Sequence, residues 1–547
     1  MSGSPNPERT DRGMVRLEMP AVWGACALAS LAATVWSWRH GALLNYGDAV
    51  AHLHIARRVF DAHQPRLTEL GSVWLPLPHI LLLPFVQIYS WWADGLAGVV
   101  PSALAYLAAS AGLYRLARRW LARLPAAAGL AFFALNPNLL YLQTTAMTEP
   151  LFLCEMVWAV AGLVEWHASL DEEDGRRSAR RLWWIAAVLV AAVFTRYDGW
   201  VMAFLAWVSV GLVLVRRNRL RSRSFWLASV LLAAAPAAWF VYNAVGFGDW
   251  LYFARGPYSA LAIELRSAAQ GAGPLHPGWH NPWVGLIFFV KAAEMDTAAA
   301  AWGNLLLAAS ALGTVWGWWM ERQRAFAWTW LLWLPVPFYA YSVAYGSVPI
   351  FLPVWWPYSC YNTRYGMEML PAFALGVAFA ARMLLFAAGR VRPRWTRWMA
   401  GGVLTLVLLN AAEMVRERPL VYVESTRNIA ARLAYEREIP PVLRALLAKR
   451  PESVVLMETS VDPELVALTG IPLRQTINES DLELYCAALE APAAHAAIVL
   501  AFDGDPIDRA VKAHPEGLTA VRRFRAPGEP DGTIYLSTRF AKPKGAG

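Results

Sequence analysis

Long apolar runs separated by short polar segments dominate the sequence. Runs at 20–38 (PAVWGACALASLAATVWSW), 124–147, 225–248 and 325–363 contain no Lys, Arg, Asp or Glu. A helix needs roughly 20 apolar residues to cross the hydrocarbon layer of a bilayer, which is about 30 Å thick. The pattern therefore predicts a polytopic α-helical membrane protein.

The composition supports this prediction. The 547 residues are 57% hydrophobic and 16% charged, whereas soluble domains are about 45–50% apolar and about 25% charged. This balance excludes a soluble enzyme, a disordered chain and a secreted disulfide scaffold. The 29 Trp residues suit indoles at the lipid–water boundary.

The basic residues give the orientation. The net charge of +9 is concentrated in bursts between apolar runs, at 115–123, 216–223 and 390–397, and such bursts are typical of cytoplasmic loops. They accompany no nucleic-acid-binding motif, so no nucleic-acid partner is expected. With residues 1–19 as a cytoplasmic tail, about eleven crossings are predicted, at 20–38, 101–119, 124–142, 150–167, 182–195, 199–215, 225–245, 298–320, 325–345, 366–388 and 398–412.

One further apolar stretch, 74–92, is long enough to span but does not fit this orientation. Counting it as a crossing would place the later arginine bursts outside, and Pro76, Pro78 and Pro84 interrupt it. We expect a juxtamembrane or re-entrant helix there, and another at 282–290.

The chain changes character near residue 413. A transmembrane domain at 20–412, with a first outer loop at 39–100, is predicted to precede an extracytoplasmic soluble α/β domain at 413–547. Strands are expected in SVVLMET and AAIVLAF, helices in PELVALTG and PIDRAVKAH, and a hairpin from LTAVRRFRA to GTIYLSTRF through PGEPD.

The first outer loop, NYGDAVAHLHIARR, contains ionisable residues. Asp48 suits a general base or a metal ligand, although Asp is also favoured as a helix N-cap. His52 and His54, at spacing two, do not share a helix face, so a joint zinc site is not expected. His52 suits a phosphate or sugar contact, or an interfacial polar position.

Three other polar clusters are predicted on the same side. Glu149 in TTAMTEP suits either the first turn of a helix capped by Thr148 or the outer vestibule. Arg196 in TRYDGW suits an interfacial anchor or an ion pair. Arg364, in SCYNTRYGMEMLP, suits a phosphate clamp or snorkelling to lipid head groups.

Together these elements resemble the GT-C superfamily. The resembling features are Asp48 in the first outer loop, NPxxxxxxxxxxTEP ending at Pro150, RYxxxxxP from Arg364 to Pro371, and an outer soluble tail. They cover about residues 20–412 and look closest to the protein mannosyltransferase-like branch, which uses polyprenyl-phosphate-linked sugars.

The resemblance implies sugar transfer from a polyprenyl-phosphate donor to a glycan, lipid or protein acceptor, on the outer face and with inversion. Asp48 matches the catalytic base. The residues expected to bind substrate or donor phosphate are Arg364, Tyr365, Glu149, Arg196, Arg57, His52 and Lys291. Because Ala49 and Val50 follow Asp48, the sequence lacks an acidic pair, and metal dependence is not favoured. No cofactor is expected.

The same pattern predicts where the protein is located and leaves one alternative function open. The enzyme is expected in the cell membrane, with its N-terminus cytoplasmic and its C-terminal domain extracytoplasmic. The alternative function is a transporter or lipid flippase with an appended periplasmic domain, a class that places ionisable groups at mid-membrane. The apolar runs and the polar clusters at one end favour the enzyme.

Overall fold

The computed structural model describes residues 7–171, 175–269, 276–321, 325–391, 395–525 and 529–540. Parts of the basic segment at 390–397 and of the predicted turn PGEPD lie outside them. The chain divides into two compact units. The helical unit comprises Met1–His40, Ser72–Pro78 and Val99–Glu424, and the sheet unit comprises Gly41–Gly71, His79–Gly98 and Ser425–Gly547. The domain limits at 20–412 and 413–547 stay predictions.

Helices account for most of the described chain. In the first half they are α1 (Pro7–Arg39), α2 (Gly47–Arg58), α3 (Leu77–Val86), α4 (Tyr89–Ala93), α5 (Leu96–Ala117), α6 (Arg123–Ala134), α7 (Pro137–Leu142), α8 (Glu149–Ala168), α9 (Gly175–Thr195), α10 (Tyr197–Arg216), α11 (Arg223–Phe247), α12 (Tyr252–Arg255) and α13 (Ala260–Ala269). Then follow α14 (Pro282–Thr297), α15 (Gly303–Met320), α16 (Pro335–Tyr345), α17 (Leu370–Val391), α18 (Trp395–Glu417), α19 (Leu420–Lys449), α20 (Glu464–Thr469), α21 (Leu482–Glu490), α22 (Pro492–His495) and α23 (Pro506–Ala513). Short 3-10 helices lie at Leu67–Leu70, Ser169–Asp171, Phe326–Trp333, Thr363–Met369, Leu473–Gln475 and Thr538–Phe540.

The chain is a multi-pass membrane protein. Among the described residues, seven helices are long and apolar enough to cross a membrane: Val15–Arg39, Leu96–Ala117, Glu149–Asp171, Gly175–Thr195, Tyr197–Arg216, Arg223–Phe247 and Thr363–Gly389. Each corresponds to a predicted crossing, so the polytopic helical architecture is confirmed. The count of about eleven stays a prediction.

Two predicted crossings are divided in the structure. The run 124–142 forms α6 and α7, because the Asn136 side chain caps α7 by accepting hydrogen bonds from the backbone N–H groups of Asn138 (2.9 Å) and Leu139 (3.1 Å). The run 325–345 forms the 3-10 helix Phe326–Trp333 followed by α16, which begins at Pro335.

The stretch 74–92 forms the short helices α3 and α4 rather than one continuous helix. The ten residues of α3 extend about 15 Å, roughly half of the hydrocarbon thickness. The expectation of a juxtamembrane or re-entrant helix agrees with this length. The run 282–290 lies within α14, which has 16 residues.

Close packing around α17 forms much of the core of the helical unit. A Cβ atom on Gly313 of α15 would lie 2.1 Å from the carbonyl oxygen of Gly376, and one on Gly129 of α6 would lie 2.6 Å from that of Ala374. Small residues allow such close approach between membrane helices. As a result, α15 and α6 both lie directly against the backbone of α17.

The sheet unit contains five strands in the order β2-β1-β3-β5-β4. The strands are β1 (Val455–Leu456), β2 (Thr476–Ile477), β3 (Ile498–Phe502), β4 (Leu518–Phe524) and β5 (Gly532–Ser537). The pairs β1–β2 and β1–β3 are parallel, whereas β3–β5 and β4–β5 are antiparallel. Its core includes Leu456, Val499, Ile507 and Val511.

The predicted α/β elements of the C-terminal region are confirmed. The segments SVVLMET and AAIVLAF contain β1 and β3, and the predicted hairpin is the antiparallel pair β4–β5. Helix α20 is followed by Gly470, whose positive φ of 78° favours glycine. The sequence pattern did not predict the two-residue strand β2.

Candidate active site

A buried cluster of arginines and carboxylates lies in the helical unit. It joins chain segments far apart in the sequence: Glu149 in the first turn of α8, Arg196 between α9 and α10, and Arg364 in the 3-10 helix before α17. These residues come from three separately predicted polar clusters. The structure brings all three together.

Arg196 is the hub of one half of the cluster. Its guanidinium donates to Asp198 (3.1 Å), to Glu149 (3.4 Å) and to the Tyr339 hydroxyl (2.8 Å), and it pairs with Glu368 at 3.2 Å. It also donates to the Thr148 hydroxyl at 3.0 Å. The ion pair predicted for Arg196 is therefore present, with Asp198 as its neighbouring partner. The side chain of Thr148 does not cap α8.

Arg364 is the hub of the other half. Its Nε donates to Glu149 at 3.1 Å and its Nη1 donates to Glu424 at 2.8 Å. Glu424 in turn accepts hydrogen bonds from the backbone N–H groups of Asn362 (3.1 Å) and Thr363 (2.9 Å) and from the Thr363 hydroxyl. Because Arg364 is only 5% exposed, the snorkelling alternative is wrong.

Aromatic rings enclose the two guanidinium groups. The Tyr365 ring lies 5.1 Å from the guanidinium carbon of Arg196 and 5.1 Å from that of Arg364. It stacks on Tyr339, whose hydroxyl donates to Glu368 at 2.6 Å. Contacts of this kind stabilise cations in sites from which water is excluded.

Asp296 adds a further carboxylate beside the cluster. It is fully buried, and neither carboxylate oxygen has a hydrogen-bond partner among the described residues. Its backbone oxygen accepts from the amides of Asn136 (2.9 Å) and Asn138 (2.8 Å). A Cβ on Gly366 would lie 2.6 Å from Asp296 Oδ2, so the carboxylate contacts the chain between Arg364 and Glu368.

Carboxylates outnumber arginines in this cluster, so both arginines already have acidic partners. The guanidinium of Arg196 donates to carboxylates and hydroxyls, and that of Arg364 donates to two carboxylates. A phosphate would have to displace at least one carboxylate to be clamped bidentately by either arginine. The cluster therefore suits joining helix ends better than it suits holding a free anion.

Asp48 and its neighbours belong to the sheet unit. Asp48 lies in the first turn of α2 and is half-buried. The N-cap position is Tyr46, so the alternative of Asp48 as the N-cap is wrong. A carboxylate in the first turn faces the partial positive charge of the helix N-terminus.

The basic residues of α2 are held by acidic partners. Arg57 donates to Asp61 (3.0 Å) and to the Val86 carbonyl (2.8 Å), and its guanidinium lies 4.6 Å from the Trp92 ring centre. Arg58 pairs with Glu69 and with Asp481, both at 2.7 Å. Burial opposes the charged form of Arg58, but these carboxylates outweigh it and raise its pKa.

Three buried imidazoles lie on α2 and α3. His52 on α2 is within 2.8 Å of His79 on α3, Nδ1 to Nε2. His54 points to another side of α2, where its ring contacts Trp92, and burial lowers its pKa to about 3. His52 and His54 therefore do not share a site, as their spacing predicted.

Lys291 lies apart from these contacts. Its amine donates to Glu294 of the same helix, α14, at 2.9 Å. As for metals, no group of three or more His, Cys, Asp or Glu within the described ranges is arranged to hold an ion. Metal independence stays a prediction.

Sequence reasoning missed several members of the cluster. Asp296 and Glu424 each lie near the end of a helical segment and share no motif with the RY or TEP elements, and Tyr339 is one of many aromatic residues in an apolar run. The one available signal was a carboxylate isolated beside apolar sequence, as in VYVEST around Glu424.

Comparison with known proteins supplies the fold class. No protein-family model matches the sequence, and a search of curated proteins finds no match. The structure is similar to the crystal structure of ArnT from Cupriavidus metallidurans bound to undecaprenyl phosphate, with a TM-score of 0.56, 14% identity, and coverage of 95% of this chain and 99% of that chain. The apo structure of the same ArnT gives a TM-score of 0.53, at 14% identity and the same coverage.

A likeness at this identity establishes the fold. The chain is a multi-pass membrane protein with the GT-C fold and a C-terminal sheet domain. The resemblance to the GT-C superfamily, first indicated by Asp48, the TEP element and the RY element, is thereby confirmed at the level of the fold.

Proposed function

We propose that this protein is a membrane glycosyltransferase. It transfers a sugar from a polyprenyl-phosphate-linked donor to a hydroxyl of a glycan, lipid or protein on the extracytoplasmic face. The observation that carries the proposal is the fold, which 95% of this chain shares with an ArnT whose crystal structure contains undecaprenyl phosphate. The outer-loop carboxylate and the resemblance of its motifs support the same reaction.

In the proposed reaction Asp48 is the general base. It accepts the proton of the acceptor hydroxyl while the hydroxyl oxygen forms a bond to the anomeric carbon. The bond between that carbon and the phosphate oxygen breaks on the opposite side, so that configuration inverts. Polyprenyl phosphate leaves with the electron pair, and its growing negative charge requires hydrogen-bond donors or cations nearby.

The proposal assigns the donor phosphate first to His52 and Arg57. Both share α2 with Asp48, the proposed base. Arg57 donates to the carboxylate of Asp61, as Arg364 and Arg196 donate to carboxylates of the buried cluster, so its place on α2 is the reason for the preference. Tyr365 and Glu149 then serve by holding these arginines in place. Lys291 is the weaker proposal for the phosphate because it lies on α14 and not on α2 with Asp48.

The base can be tested by a matched pair of carboxylate replacements. Asp48→Asn keeps the size of the side chain but cannot accept a proton, and we expect transfer to fall by about 10²–10⁴-fold. Glu516→Gln removes a carboxylate from the exposed surface of the same unit and should leave the rate unchanged. The measurement is mass spectrometry of lipids and glycans in membranes from cells that express each variant.

Distinct outcomes separate the proposal from its alternatives. Full transfer by Asp48→Asn would show that another group is the base. A transporter or flippase would change the leaflet in which the labelled lipid resides without forming a new glycosidic bond. Activity that is lost with a chelator and restored by a divalent ion would overturn the expectation of metal independence.

A further inference from the structure

Three carboxyl groups surround one arginine in the sheet unit, in a cluster that the proposed function does not use. Arg432 and Glu436 lie one turn apart on α19, Asp462 lies just before α20, and Glu464 is the first residue of α20. The residues Asp462 and Glu464 are 0% and 9% exposed. If all three carboxyl groups were ionised, one guanidinium would leave an excess of negative charge, which is costly to bury.

Arg432 compensates this charge only in part. Its Nη1 is 3.9 Å from Asp462 Oδ1 and has no hydrogen-bond partner among the described residues. Its Nη2 donates to the backbone carbonyl of Asn45 at 3.1 Å. Asp462 Oδ1 accepts from the backbone N–H of Glu464 at 3.2 Å, whereas Asp462 Oδ2 also has no partner in the described ranges. Further compensation must come from protons.

Glu436 and Glu464 are placed to share one proton. Their side chains are within hydrogen-bond reach of each other, and Glu436 Oε1 and Glu464 Oε2 are buried without another partner in the part of the chain that the structure describes. Two ionised carboxylates are both acceptors, whereas a single proton lets one carboxyl group donate to the other. Burial raises the pKa of both groups, and their hydrogen bond raises that of Glu464 further while it opposes the rise at Glu436. The shared proton therefore belongs to Glu464.

The pH range in which the cluster loses its protons follows from the same contacts. Burial and the charge of Glu436 raise the pKa of Glu464 to about 8 and that of Asp462 to about 7, although Arg432 opposes both changes. In an unfolded chain these values are about 4.3 for Glu and about 3.9 for Asp. A carboxyl group whose pKa is raised by folding stabilises the fold fully below its unfolded pKa, and this stabilisation is lost as the pH rises to the folded pKa. The contact between α19 and α20 therefore weakens from about pH 4 to about pH 8.

We propose that Glu436 and Glu464 form a proton-sharing pair that holds α20 against α19 and releases it as the pH rises, so that the sheet unit contains a pH-sensitive switch. The released helix contacts the surroundings of α2, because α20 packs against α4 and the Trp92 ring of α4 lies 4.6 Å from the guanidinium carbon of Arg57. The switch thus acts on the helix that carries Asp48, and its effect on catalysis rests on the proposed function.

The other titratable groups on the neighbouring helices keep their charge over this range. On α19, Tyr435 lies near Asp462, and burial raises the pKa of its hydroxyl to about 12. On α4, burial also raises the pKa of Tyr89, whose charged neighbours are Arg57 and Asp61. Both phenols are neutral between about pH 5 and 8. The carboxyl groups of the cluster are therefore the groups that titrate beside α20.

Hydrogen exchange of the purified full-length protein tests the switch, with protection factors corrected for the intrinsic exchange rate at each pH. The equilibrium constant for opening rises about tenfold per pH unit for each carboxyl group that loses its proton on opening. We expect the protection of amides in α20 and α4 to fall by at least about tenfold per pH unit between about pH 5 and 7. Unchanged protection of α20 would overturn the proposal, and a decrease confined to α20 would refute the link to α2.

Matched replacements of carboxyl groups identify the proton. Glu464→Gln can still donate to Glu436 through its amide but has no proton to lose, so we expect a pH dependence shallower by about tenfold per pH unit and higher protection than wild type at about pH 8. Asp462→Asn should reduce the slope in the same way below about pH 7. The exposed Glu438 of α19 supplies the control, because Glu438→Gln should keep the wild-type profile.

A purely ionic role for Glu464 gives the opposite result. If Glu464 were the ionised partner of Arg432, Glu464→Gln would lower the protection of α20 at every pH and keep the wild-type slope, which would refute the proposal. The exchange measurement requires neither donor nor acceptor. A flat profile would therefore leave the proposed glycosyltransferase activity intact, and full transfer by Asp48→Asn would contradict the assigned base without affecting the switch.

Discussion

At the scale of single residues, Arg364 is held by two carboxylates that are far from it in sequence, Glu149 and Glu424. Removing one partner from a buried ion pair leaves the other charge without compensation and costs about 3–5 kcal/mol. We therefore expect Arg364→Met to lower the apparent melting temperature in detergent strongly. Arg364→Lys should lower it as well, because a single ammonium does not reproduce two directed guanidinium contacts.

The exposed Arg255 supplies the control for this prediction. Arg255→Met makes the same chemical change on the surface of the same unit and should leave the melting temperature almost unchanged. If Arg364 served chiefly to clamp phosphate, Arg364→Lys would keep the wild-type melting temperature and change only the affinity for undecaprenyl phosphate. The comparison therefore distinguishes a structural from a ligand-binding role for Arg364.

The residues of the cluster were predictable to different degrees, for a physical reason. Glu149, Arg196 and Arg364 interrupt apolar runs and occur within short motifs, so their sequence context marks them. Glu424 is marked only as an isolated carboxylate beside apolar sequence, and the membership of Asp296 and Glu424 in the cluster follows from contacts with residues distant in the chain. Periodicity reports the surroundings of a residue along its own helix, and it contains no information on which helix ends meet.

At the scale of helices, sequence reasoning located the apolar segments but not their internal breaks. The run 124–142 is apolar throughout, yet Asn136 ends one helix and caps the next. Hydropathy averages over a window, so one capping side chain barely alters it. The broken helices are nevertheless what brings the amides of Asn136 and Asn138 to the backbone oxygen of Asp296.

Helix packing gives a second prediction, at the crossing of α15 and α17. In Gly313→Ala the added Cβ would lie 2.1 Å from the Gly376 oxygen and 2.5 Å from the Ala380 nitrogen. The helices must separate, and we expect a loss of about 1–3 kcal/mol, which thermal unfolding in detergent would detect.

Gly401 of α18 is the matched control, because a Cβ there would meet nothing within 4 Å. Gly401→Ala should be neutral or stabilising by up to about 1 kcal/mol, since alanine is the better helix former. Equal melting temperatures for Gly313→Ala and Gly401→Ala would mean that the close approach at Gly313 does not contribute to stability.

At the scale of the whole molecule, the sheet unit contains more than the C-terminal region. Residues Gly41–Gly71 and His79–Gly98 belong to the same compact unit as Ser425–Gly547. Arg58 of α2 pairs with Asp481, and Asp61 accepts from Arg474 at 3.2 Å. The segment that carries Asp48 is therefore fixed by ion pairs to the sheet region, a connection that a linear division of the chain into domains does not reveal.

The number of crossings decides which side of the membrane this unit occupies. Between Asn218 and Ser480 the predicted topology has five crossings, an odd number, at 225–245, 298–320, 325–345, 366–388 and 398–412. In the described part of this region, the helices long and apolar enough to cross a membrane are Arg223–Phe247 and Thr363–Gly389. Length adds α15 and α18 to these two helices, and the segment 325–345, which is divided between the 3-10 helix Phe326–Trp333 and α16, then decides whether the number is odd. The 18 residues of α15 extend about 27 Å and the 23 residues of α18 about 35 Å, each close to the hydrocarbon thickness.

Cysteine labelling tests this parity directly. In a variant with Cys26, Cys154, Cys360 and Cys486 replaced by Ser, we introduce either Asn218→Cys or Ser480→Cys, both at exposed positions. An odd number of crossings predicts that an impermeant maleimide labels Ser480→Cys in intact cells and Asn218→Cys only after permeabilisation, because the arginine burst at 216–223 stays in the cytoplasm. Labelling of both positions from one side would mean an even number of crossings. The sheet unit with Asp48 would then share the side of the arginine burst, and the extracytoplasmic reaction would have to be abandoned.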